Sequence, residues 1–392
     1  MNSETIFRQD NEHVLHTYAR NPLALVSGCG MIAADPEGRA YLDFTSGIGV
    51  NSLGFCHPAW VQAVAQQAGA LQHTSNLYYT APCARLAQSL CRRTGLNKVF
   101  FANSGAEANE GAVKAARKYS FDKYGAGRST VITLVNSFHG RTLLTLTATG
   151  QEVFHQYFGP FNQGFAYAPA GDIEALRALV DDTTCAVMME LVQGEGGVMA
   201  LDPGYVAAVR ALCAEKDLLV IVDEVQTGVG RTGTFLCAEQ YGFVPDIVTL
   251  AKALGGGLPI GAVLMTDAVA AGMGPSTHGS TYGGNPVACA GANVVVDTLT
   301  EEFLAGVRQR AARLRAGVAK LPHVAGVSGL GLMVGIELAD GIKAGEVLAA
   351  CREQGLLVLT AKTRVRLLPP LIMTDEDADK ALEILGRVLA AF

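Results

Sequence analysis

The chain has 392 residues, of which 49% are hydrophobic and 17% are charged, and it carries a net charge of −6 without a basic block. Its length suffices for one large and one smaller domain, and its charge favours neither nucleic acid nor an anionic membrane as a partner. No stretch approaches the roughly 18 uninterrupted apolar residues of a membrane span, and the acidic start is unlike a signal peptide, so we expect a cytoplasmic protein.

The first elements expected along the chain are short. A helix is predicted over 12–18, and the sequence DPEGR at 35–39 predicts a hairpin turn. Helical periodicity begins at Pro58, and a second helix is expected over 82–92. The polar, aromatic segment 73–80 between them is either a surface loop or part of a binding site.

Residues 98–102 predict a strand, and a helix is expected to begin directly after it. Ser104 and Glu107 have the spacing of a capping box, which places the start of this helix at Ser104. The free amides and the positive dipole end of such a helix form a ready anion site. A well-capped helix that binds nothing is the alternative, and the sequence leaves both open.

Two further strands are expected to end near polar residues. Thr130–Val135 is followed by Phe138 and Arg141, which could cover a planar ring and clamp a carboxylate. Taken singly, such a phenylalanine is more often core and such an arginine more often part of a surface ion pair. The strand at Cys185–Val192 leads to Glu195 between glycines, which is either a turn residue or a site carboxylate.

The most informative stretch contains two apolar runs of strand length. Leu218–Val222 ends at Asp223, and Ile247–Ala251 ends at Lys252, which precedes Gly255–Gly257. Continuous apolar runs are typical of strands covered on both faces in a parallel sheet. Because open α/β sheets bind ligands at the carboxyl ends of their strands, we expect both charged residues in a site.

The chemistry of this pair points to a cofactor. Burial depresses the pKa of a lysine, and a neutral amine forms a Schiff base with an aldehyde. An aspartate at a neighbouring strand end is the usual partner of the pyridinium nitrogen of pyridoxal phosphate (PLP). Lys252 alone could be a surface lysine and Asp223 a helix cap, but together with the glycines they predict PLP chemistry.

Three other patterns carry little weight. Gly228–Gly233 matches G-x-G-x-x-G, but it neither follows its strand directly nor opens a clear helix, so a nucleotide-binding dehydrogenase is a weak competitor. His13 and His16 are too sparse for a metal site, and no metal is expected. The nine cysteines include no Cys-x-x-Cys pair, and we expect reduced thiols in the core.

The remaining chain alternates strands and helices to its end. We therefore expect an α/β fold in which helices cover a mostly parallel central sheet, with a smaller α+β domain at the C-terminus. The predicted divisions are an N-terminal segment over 1–50, a large cofactor-binding domain over 51–285 and a small domain over 286–392.

Five pieces of the sequence resemble the class III (ω-) aminotransferases of PLP fold type I. They occur in the family's order, and the resemblance covers nearly the whole chain. The pieces are Asn103–Asn109, Ser137–Arg141, Asp223–Gln226, Pro245–Lys252 and Gly279–Pro286.

The resemblance implies that Lys252 holds PLP and moves the reacting proton, while Asp223 keeps the pyridine nitrogen protonated. It implies that the amides of Gly105 and Ala106 cradle the phosphate and that Phe138 stacks on the ring. Gln226 would reach the 3′ oxygen, and Thr281 would contact the phosphate bound in the other subunit of a homodimer. The implied cofactor-binding residues are Ser104, Gly105, Ala106, Phe138, Asp223, Glu224, Val225, Gln226, Lys252 and Thr281.

The resemblance also implies a substrate switch. Family members bind an amine donor whose reacting carbon bears no carboxylate and 2-oxoglutarate, whose reacting carbon does. Arg366 is similar to the arginine that grips the α-carboxylate, and Glu195 to the carboxylate that neutralises it. Arg141, with Tyr18, would hold the distal carboxylate, and Ser280 would lie near the substrate of the other subunit.

Within the family, three stretches resemble the members that transfer the terminal amino group of N-acetylornithine to 2-oxoglutarate in arginine biosynthesis. They are Tyr18–Arg20, Ser75–Tyr79 and Arg366–Leu371. Enzymes for succinylornithine, ornithine, acetyl-lysine or succinyl-diaminopimelate share most of these features. Other classes remain as alternatives: a glutamate-semialdehyde aminomutase, a decarboxylase, or a non-catalytic binding protein, against which the intact lysine and aspartate argue.

Overall fold

The computed structural model describes residues 1–392. Its strands are β1 Ser27–Cys29, β2 Ile32–Ala34, β3 Ala40–Asp43, β4 Lys98–Ala102, β5 Thr130–Leu134, β6 Phe165–Ala168, β7 Thr184–Met189, β8 Val192–Gln193, β9 Met199–Ala200, β10 Leu219–Asp223, β11 Ile247–Leu250, β12 Gly261–Met265, β13 Val324–Ser328, β14 Val334–Leu338, β15 Leu356–Leu357, β16 Leu359–Ala361 and β17 Arg364–Leu367. Its α-helices are α1 Ser3–His13, α2 Ser46–Gly49, α3 Pro58–Ala70, α4 Ala81–Thr94, α5 Gly105–Tyr124, α6 Leu143–Ala148, α7 Ile173–Leu179, α8 Pro203–Lys216, α9 Asp267–Ala270, α10 Pro286–Thr298, α11 Glu301–Val318, α12 Ala344–Glu353 and α13 Asp375–Leu389. None of the helices combines the length and apolar content that a membrane crossing requires.

A seven-stranded sheet in the order β4-β12-β11-β10-β7-β5-β6 organises the fold. Its strands run parallel except β12, which pairs antiparallel with both β11 and β4. The strands β7, β10 and β11 are buried over their whole length, as continuous apolar runs predict. The mostly parallel central sheet expected from the sequence is therefore confirmed.

Helix α5 covers one face of this sheet through a stripe of small residues. Ala108, Ala112, Ala115 and Ala116 are fully buried and pack in one cluster with sheet residues such as Ile221. Small side chains let the helix axis approach the sheet closely. The first turn of α5 consequently lies directly beside the carboxyl ends of the strands.

The C-terminal part contains a second sheet, in the order β13-β14-β17-β16, with every pairing antiparallel. Helices α11, α12 and α13 contribute buried residues to the same large core as this sheet. A third sheet joins β1, β2 and β3 to β15 from the far end of the chain. The domain boundaries after 50 and 285 stay a prediction.

The helix predicted over 12–18 is wrong. The first helix runs over Ser3–His13, because Asn2 caps it by accepting the amide of Thr5 at 3.0 Å. Leu15 and Tyr18 are 80% and 75% exposed, so no buried face extends the helix beyond residue 13.

The expectation that the cysteines all lie in the core is also corrected. All nine are unpaired, but Cys29 and Cys56 are exposed, and only five are fully buried. Cys29 ends the short edge strand β1, and Cys56 lies in a loop with a positive φ of 53°.

Candidate active site

A cavity of about 470 Å³ opens at the carboxyl edge of the central sheet. Five parallel strands each deliver a lining residue just beyond or at their ends: Ser104 after β4, Phe138 after β5, Glu190 after β7, Asp223 from β10 and Lys252 after β11. Ten residues predicted for the site line this cavity: Ser104, Gly105, Ala106, Phe138, Arg141, Glu195, Asp223, Val225, Gln226 and Lys252.

One end of the cavity is built to bind an anion. The Ser104 hydroxyl accepts the amide of Glu107 at 3.1 Å and its carbonyl accepts the amide of Ala108, which leaves the amides of Gly105 and Ala106 as free donors of the first turn. The Glu107 carboxylate accepts the Asn103 amide rather than closing a capping box on Ser104. The site thus presents two amides and a positive helix end to a ligand.

The backbone at this end is exposed because residue 105 has no side chain. A Cβ built on Gly105 would lie 2.6 Å from Cγ1 of Val225, closer than packed carbon atoms allow. Val225 therefore packs directly over Gly105. A larger residue here would displace either the valine or the helix start.

At the floor of the cavity the carboxylate of Asp223, 4% exposed, is fixed by three donors. Its Oδ2 accepts Nδ2 of Asn109 at 2.7 Å and lies 2.8 Å from Nδ1 of His139. Its Oδ1 accepts the amide of Val225 at 3.0 Å. Asn109 is oriented in turn by the Thr249 hydroxyl, which donates to its Oδ1 at 2.7 Å. This network holds the acid in one orientation.

Lys252 starts a short 3₁₀ turn with a φ of 40°, a left-handed conformation that is uncommon outside glycine. Such strain is characteristic of functional sites. Burial lowers the pKa of Lys252, while Asp223, Glu195 and Glu190 oppose the shift. The amine is consequently easier to deprotonate than a surface lysine.

Beside the lysine, Glu195 and Arg366 form an ion pair. Arg366 lies on β17, is 3% exposed, and its Nη1 donates to Oε1 of Glu195 at 2.6 Å. Glu195 lines the cavity and Arg366 does not. Burial would raise the pKa of Glu195, but Arg366 and then Lys252 outweigh it and hold that pKa below its ordinary value. The carboxylate therefore screens a buried positive charge from the cavity.

The aromatic wall of the cavity supports an arginine. The guanidinium of Arg141 lies 4.0 Å from the ring centre of Phe154 and 5.6 Å from that of Phe138. The two rings meet edge to face, with centroids 6.0 Å apart. Arg141 is thus held at the rim, with its charge available to an anionic group.

Comparison with known proteins decides the family. The sequence model of the family described as class-III aminotransferase matches residues 15–389 of the chain. The chain belongs to the class-III aminotransferases. It is a PLP-dependent enzyme of fold type I, and the resemblance found in its sequence is confirmed.

Relatives and solved structures match this aminotransferase over its full length. The acetylornithine aminotransferase of Haemophilus ducreyi is 53% identical over 391 residues, with 100% of each chain covered. That of Methanocaldococcus jannaschii is 44% identical, with 99% of this chain and 98% of the relative covered. Ornithine aminotransferase from Toxoplasma gondii superposes with a TM-score of 0.95 at 34% identity, covering 100% and 96%. N-acetylornithine aminotransferase from Stenotrophomonas maltophilia gives 0.85 at 37%, covering 98% and 99%.

The residues of this aminotransferase fit PLP. The free amides at the start of α5 suit its phosphate, and Phe138 is an aromatic wall for its ring. The oriented carboxylate of Asp223 suits the pyridine nitrogen, and Lys252 supplies the amine.

Five predicted residues of the aminotransferase do not line the cavity. Arg366 lies behind Glu195, and the Glu224 carboxylate points away, accepting the amides of Cys237 and Ala238 and the Thr227 hydroxyl. Ser280 accepts Nδ2 of Asn103 at 3.2 Å. Thr281 lines a separate cavity of about 240 Å³ together with residues of segment 73–80, and Tyr18 is exposed. Within a single chain, Ser280, Thr281 and Tyr18 do not line the cavity that contains Lys252.

Sequence reasoning gave no role to three residues of the site: Asn109, His139 and Glu190. Asn109 falls in the buried stripe of α5, where a polar residue is a usable signal. Glu190 directly follows the buried strand β7, but the strand expected over Cys185–Val192 ran through this position, so it was not recognised as a residue at a strand end. For His139, the only signal in the sequence is its position between Phe138 and Arg141, which were already predicted for the site.

Proposed function

We propose that this aminotransferase moves the terminal amino group of N2-acetyl-L-ornithine to 2-oxoglutarate, giving N-acetyl-L-glutamate 5-semialdehyde and L-glutamate. The observation that carries the proposal is the Glu195–Arg366 pair at 2.6 Å, with the acid facing the cavity and the arginine behind it. A pocket of this kind can show a positive charge to one substrate and hide it from another.

The two substrates make opposite demands on this pair. The donor reacts at a carbon without a carboxylate, and an ionised Glu195 neutralises Arg366 for it. Glutamate and 2-oxoglutarate carry an α-carboxylate, which can replace Glu195 as the partner of Arg366 once the side chain turns aside. Arg141 at the rim, with Tyr18, would bind the distal carboxylate of either substrate.

The remaining roles follow from the geometry of the site. PLP, when bound, accepts the electrons released as the substrate carbon loses its proton. Lys252, with its lowered pKa, is the group that takes and returns this proton. Asp223, held by Asn109, His139 and Val225, keeps a negative charge opposite the ring nitrogen.

The choice of an acetyl group on the donor is supported by the similarity of the chain to its relatives. Curated relatives from bacteria and archaea named acetylornithine aminotransferase are 43–53% identical over nearly the whole chain. Ornithine is the second candidate, because the ornithine aminotransferase of Toxoplasma gondii superposes with a TM-score of 0.95. We place the reaction in arginine biosynthesis in the cytoplasm.

A homodimer is part of the proposal. Thr281 and Ser280 would serve the cofactor and substrate of the partner subunit. Exposed aromatic side chains lie beside Thr281: Tyr78, which lines the same cavity, is 71% exposed, and the neighbouring Tyr282 is 63% exposed. Such a patch is typical of a protein interface. Analytical ultracentrifugation that found only monomers would contradict this arrangement.

The test is a panel of single-turnover reactions of the PLP-loaded enzyme. N-acetylornithine, N-succinylornithine, ornithine, N-succinyl-diaminopimelate and 4-aminobutyrate are each mixed with enzyme while the absorbance of the lysine-bound cofactor is followed. We expect N-acetylornithine to react at least about tenfold faster than the others. Ornithine reacting fastest would overturn the choice of donor. Repeated turnovers in a separate assay without 2-oxoglutarate, beyond the single half-reaction, would indicate an aminomutase.

Two controls separate chemistry from folding. Lys252→Ala should react with no donor, and borohydride reduction of the wild-type enzyme should label the peptide that contains Lys252. Lys118→Ala is the matched control, because Lys118 forms only a surface ion pair with Asp122 on α5. Label at a different lysine would reject the assigned site.

A further inference from the structure

Glu190 is a buried acid that the proposed mechanism does not use. It follows β7, is 5% exposed and lines the cavity. One carboxylate oxygen, Oε1, accepts the amide of Phe138 at 2.8 Å, and the other, Oε2, accepts the amide of Gly194 at 3.3 Å. A single side chain thus joins the loop after β5 to the turn that carries Glu195.

The two loops joined in this way have different tasks. Phe138 is the aromatic wall for the cofactor ring, whereas the Gly194–Glu195 turn carries the acid that screens Arg366. The Gly194 carbonyl also lies 3.4 Å from Nη1 of Arg366. Any shift of this turn therefore changes both the screening acid and its arginine.

The arrangement needs both oxygens of Glu190 as acceptors, because both partners are backbone amides that can only donate. A protonated carboxyl turns one oxygen into a donor, which would face an N–H group and lose that bond. A buried amide left without an acceptor costs about 1–3 kcal/mol. Protonation of Glu190 is therefore coupled to release of either the loop at Phe138 or the turn at Gly194.

The charges around Glu190 set where this protonation occurs. Burial raises the pKa of Glu190 to about 7, with His139 and the two amides opposing and Asp223 adding to the rise. Lys252 is the other charged group that faces it across the cavity. The carboxyl therefore changes its charge in the neutral range.

We propose that Glu190 is a positioning residue of the aminotransferase: its carboxylate fixes the Glu195 turn relative to the aromatic wall, and its protonation releases the turn and slows both half-reactions. The inference rests on the proposed two-substrate function. It adds that the geometry of the Glu195–Arg366 switch is controlled by a proton on a third residue.

The substitution Glu190→Gln tests the idea, because glutamine has the size of glutamate but only one acceptor oxygen. In the wild-type enzyme, single-turnover rates with L-glutamate should fall about tenfold from pH 8 to pH 6, with a midpoint near 7. The glutamine variant should react at the low rate at every pH and should not show this fall between pH 8 and pH 6. Glu383→Gln, at an exposed ion pair on α13, should retain the wild-type profile.

A second measurement on the wild-type protein covers the case in which the variant folds poorly. Hydrogen exchange of peptides containing Phe138 and Gly194, corrected for intrinsic rates, should show one of the two amides losing protection between pH 8 and pH 6. The proposal is overturned if the rate of Glu190→Gln still falls between pH 8 and pH 6, or if both amides keep their protection at pH 6. Exchange and the glutamate reaction do not depend on the amine donor, so an incorrect donor would leave both results unchanged.

Discussion

Glu195→Gln gives the sharpest test of the switch. The change keeps the size of the side chain and removes its charge, which leaves Arg366 uncompensated beside the cavity. Two unit charges about 4 Å apart interact by about 4 kcal/mol at an effective dielectric constant near 20. Since Glu195 is 31% exposed, solvent reduces this, and about 2 kcal/mol is a reasonable net effect.

The loss of this interaction energy should slow only the half-reaction with the amine donor. The donor, which brings no carboxylate to Arg366, should react about 30-fold more slowly, because 1.36 kcal/mol corresponds to a factor of about ten. Glutamate brings its own carboxylate to the arginine, and its rate should change by less than about threefold. Stopped-flow single turnovers with each substrate measure both rates.

Equal slowing of the two half-reactions would refute the reasoning. It would mean that Glu195 acts on a step common to both substrates, such as the position of Lys252. Glu337→Gln is the control, because Glu337 pairs with Arg364 at 2.7 Å on the same sheet but is 54% exposed. This variant should leave both rates within about twofold.

Three further predictions follow from contacts in the site and the core. Gly261→Ala would place a Cβ 2.3 Å from the carbonyl oxygen of Ser104, so the helix start should shift and PLP affinity, measured by cofactor titration, should fall about tenfold, whereas Gly274→Ala, with no atom within 4 Å, should bind normally. Asp223→Asn removes the negative charge that we propose for the ring nitrogen, and steady-state assays should show kcat lowered by at least about 100-fold while the cofactor still binds; an unchanged kcat would exclude this role. Burial raises the pKa of Glu224 to about 7, above its value in the unfolded chain, so its contribution to stability is complete below about pH 4.5 and is lost as the pH rises through 7, at up to about 1.4 kcal/mol per pH unit. Urea unfolding at pH 5, 6 and 7 measures this slope, which should be smaller in Glu224→Gln by the contribution of Glu224, while Glu190 still contributes its own part.

The parts of the site that could be predicted are those fixed by local sequence. Continuous apolar runs predicted buried parallel strands, and the charges at their ends fell at one edge because parallel strands share a direction. Ser104 was recognisable because a helix cap is a local signal. Asp223 and Lys252 were thereby expected near each other before any contact was known.

Contacts between distant segments could not be derived in this way. The Glu195–Arg366 pair spans 171 positions, and the Asn109 and His139 contacts to Asp223 span 114 and 84. Nothing in periodicity or spacing specifies which side chains meet across such separations. The pairing of Glu195 with Arg366 was expected only from resemblance to a family, and the partners of Asp223 were not foreseen.

The single antiparallel strand of the central sheet, β12, has a consequence for how this enzyme can change. After Lys252 the chain folds back at once, and Gly261 at the start of β12 pairs with Ala102, two residues before Ser104. The Lys252 amine and the free amides at the start of α5 are therefore joined by a short connection whose register is set by the hydrogen bonds between β12 and β4. Insertions or deletions between Lys252 and Gly261 would alter the reach from one anchor to the other, so this connection should keep its length in any working variant, however freely the surface loops vary.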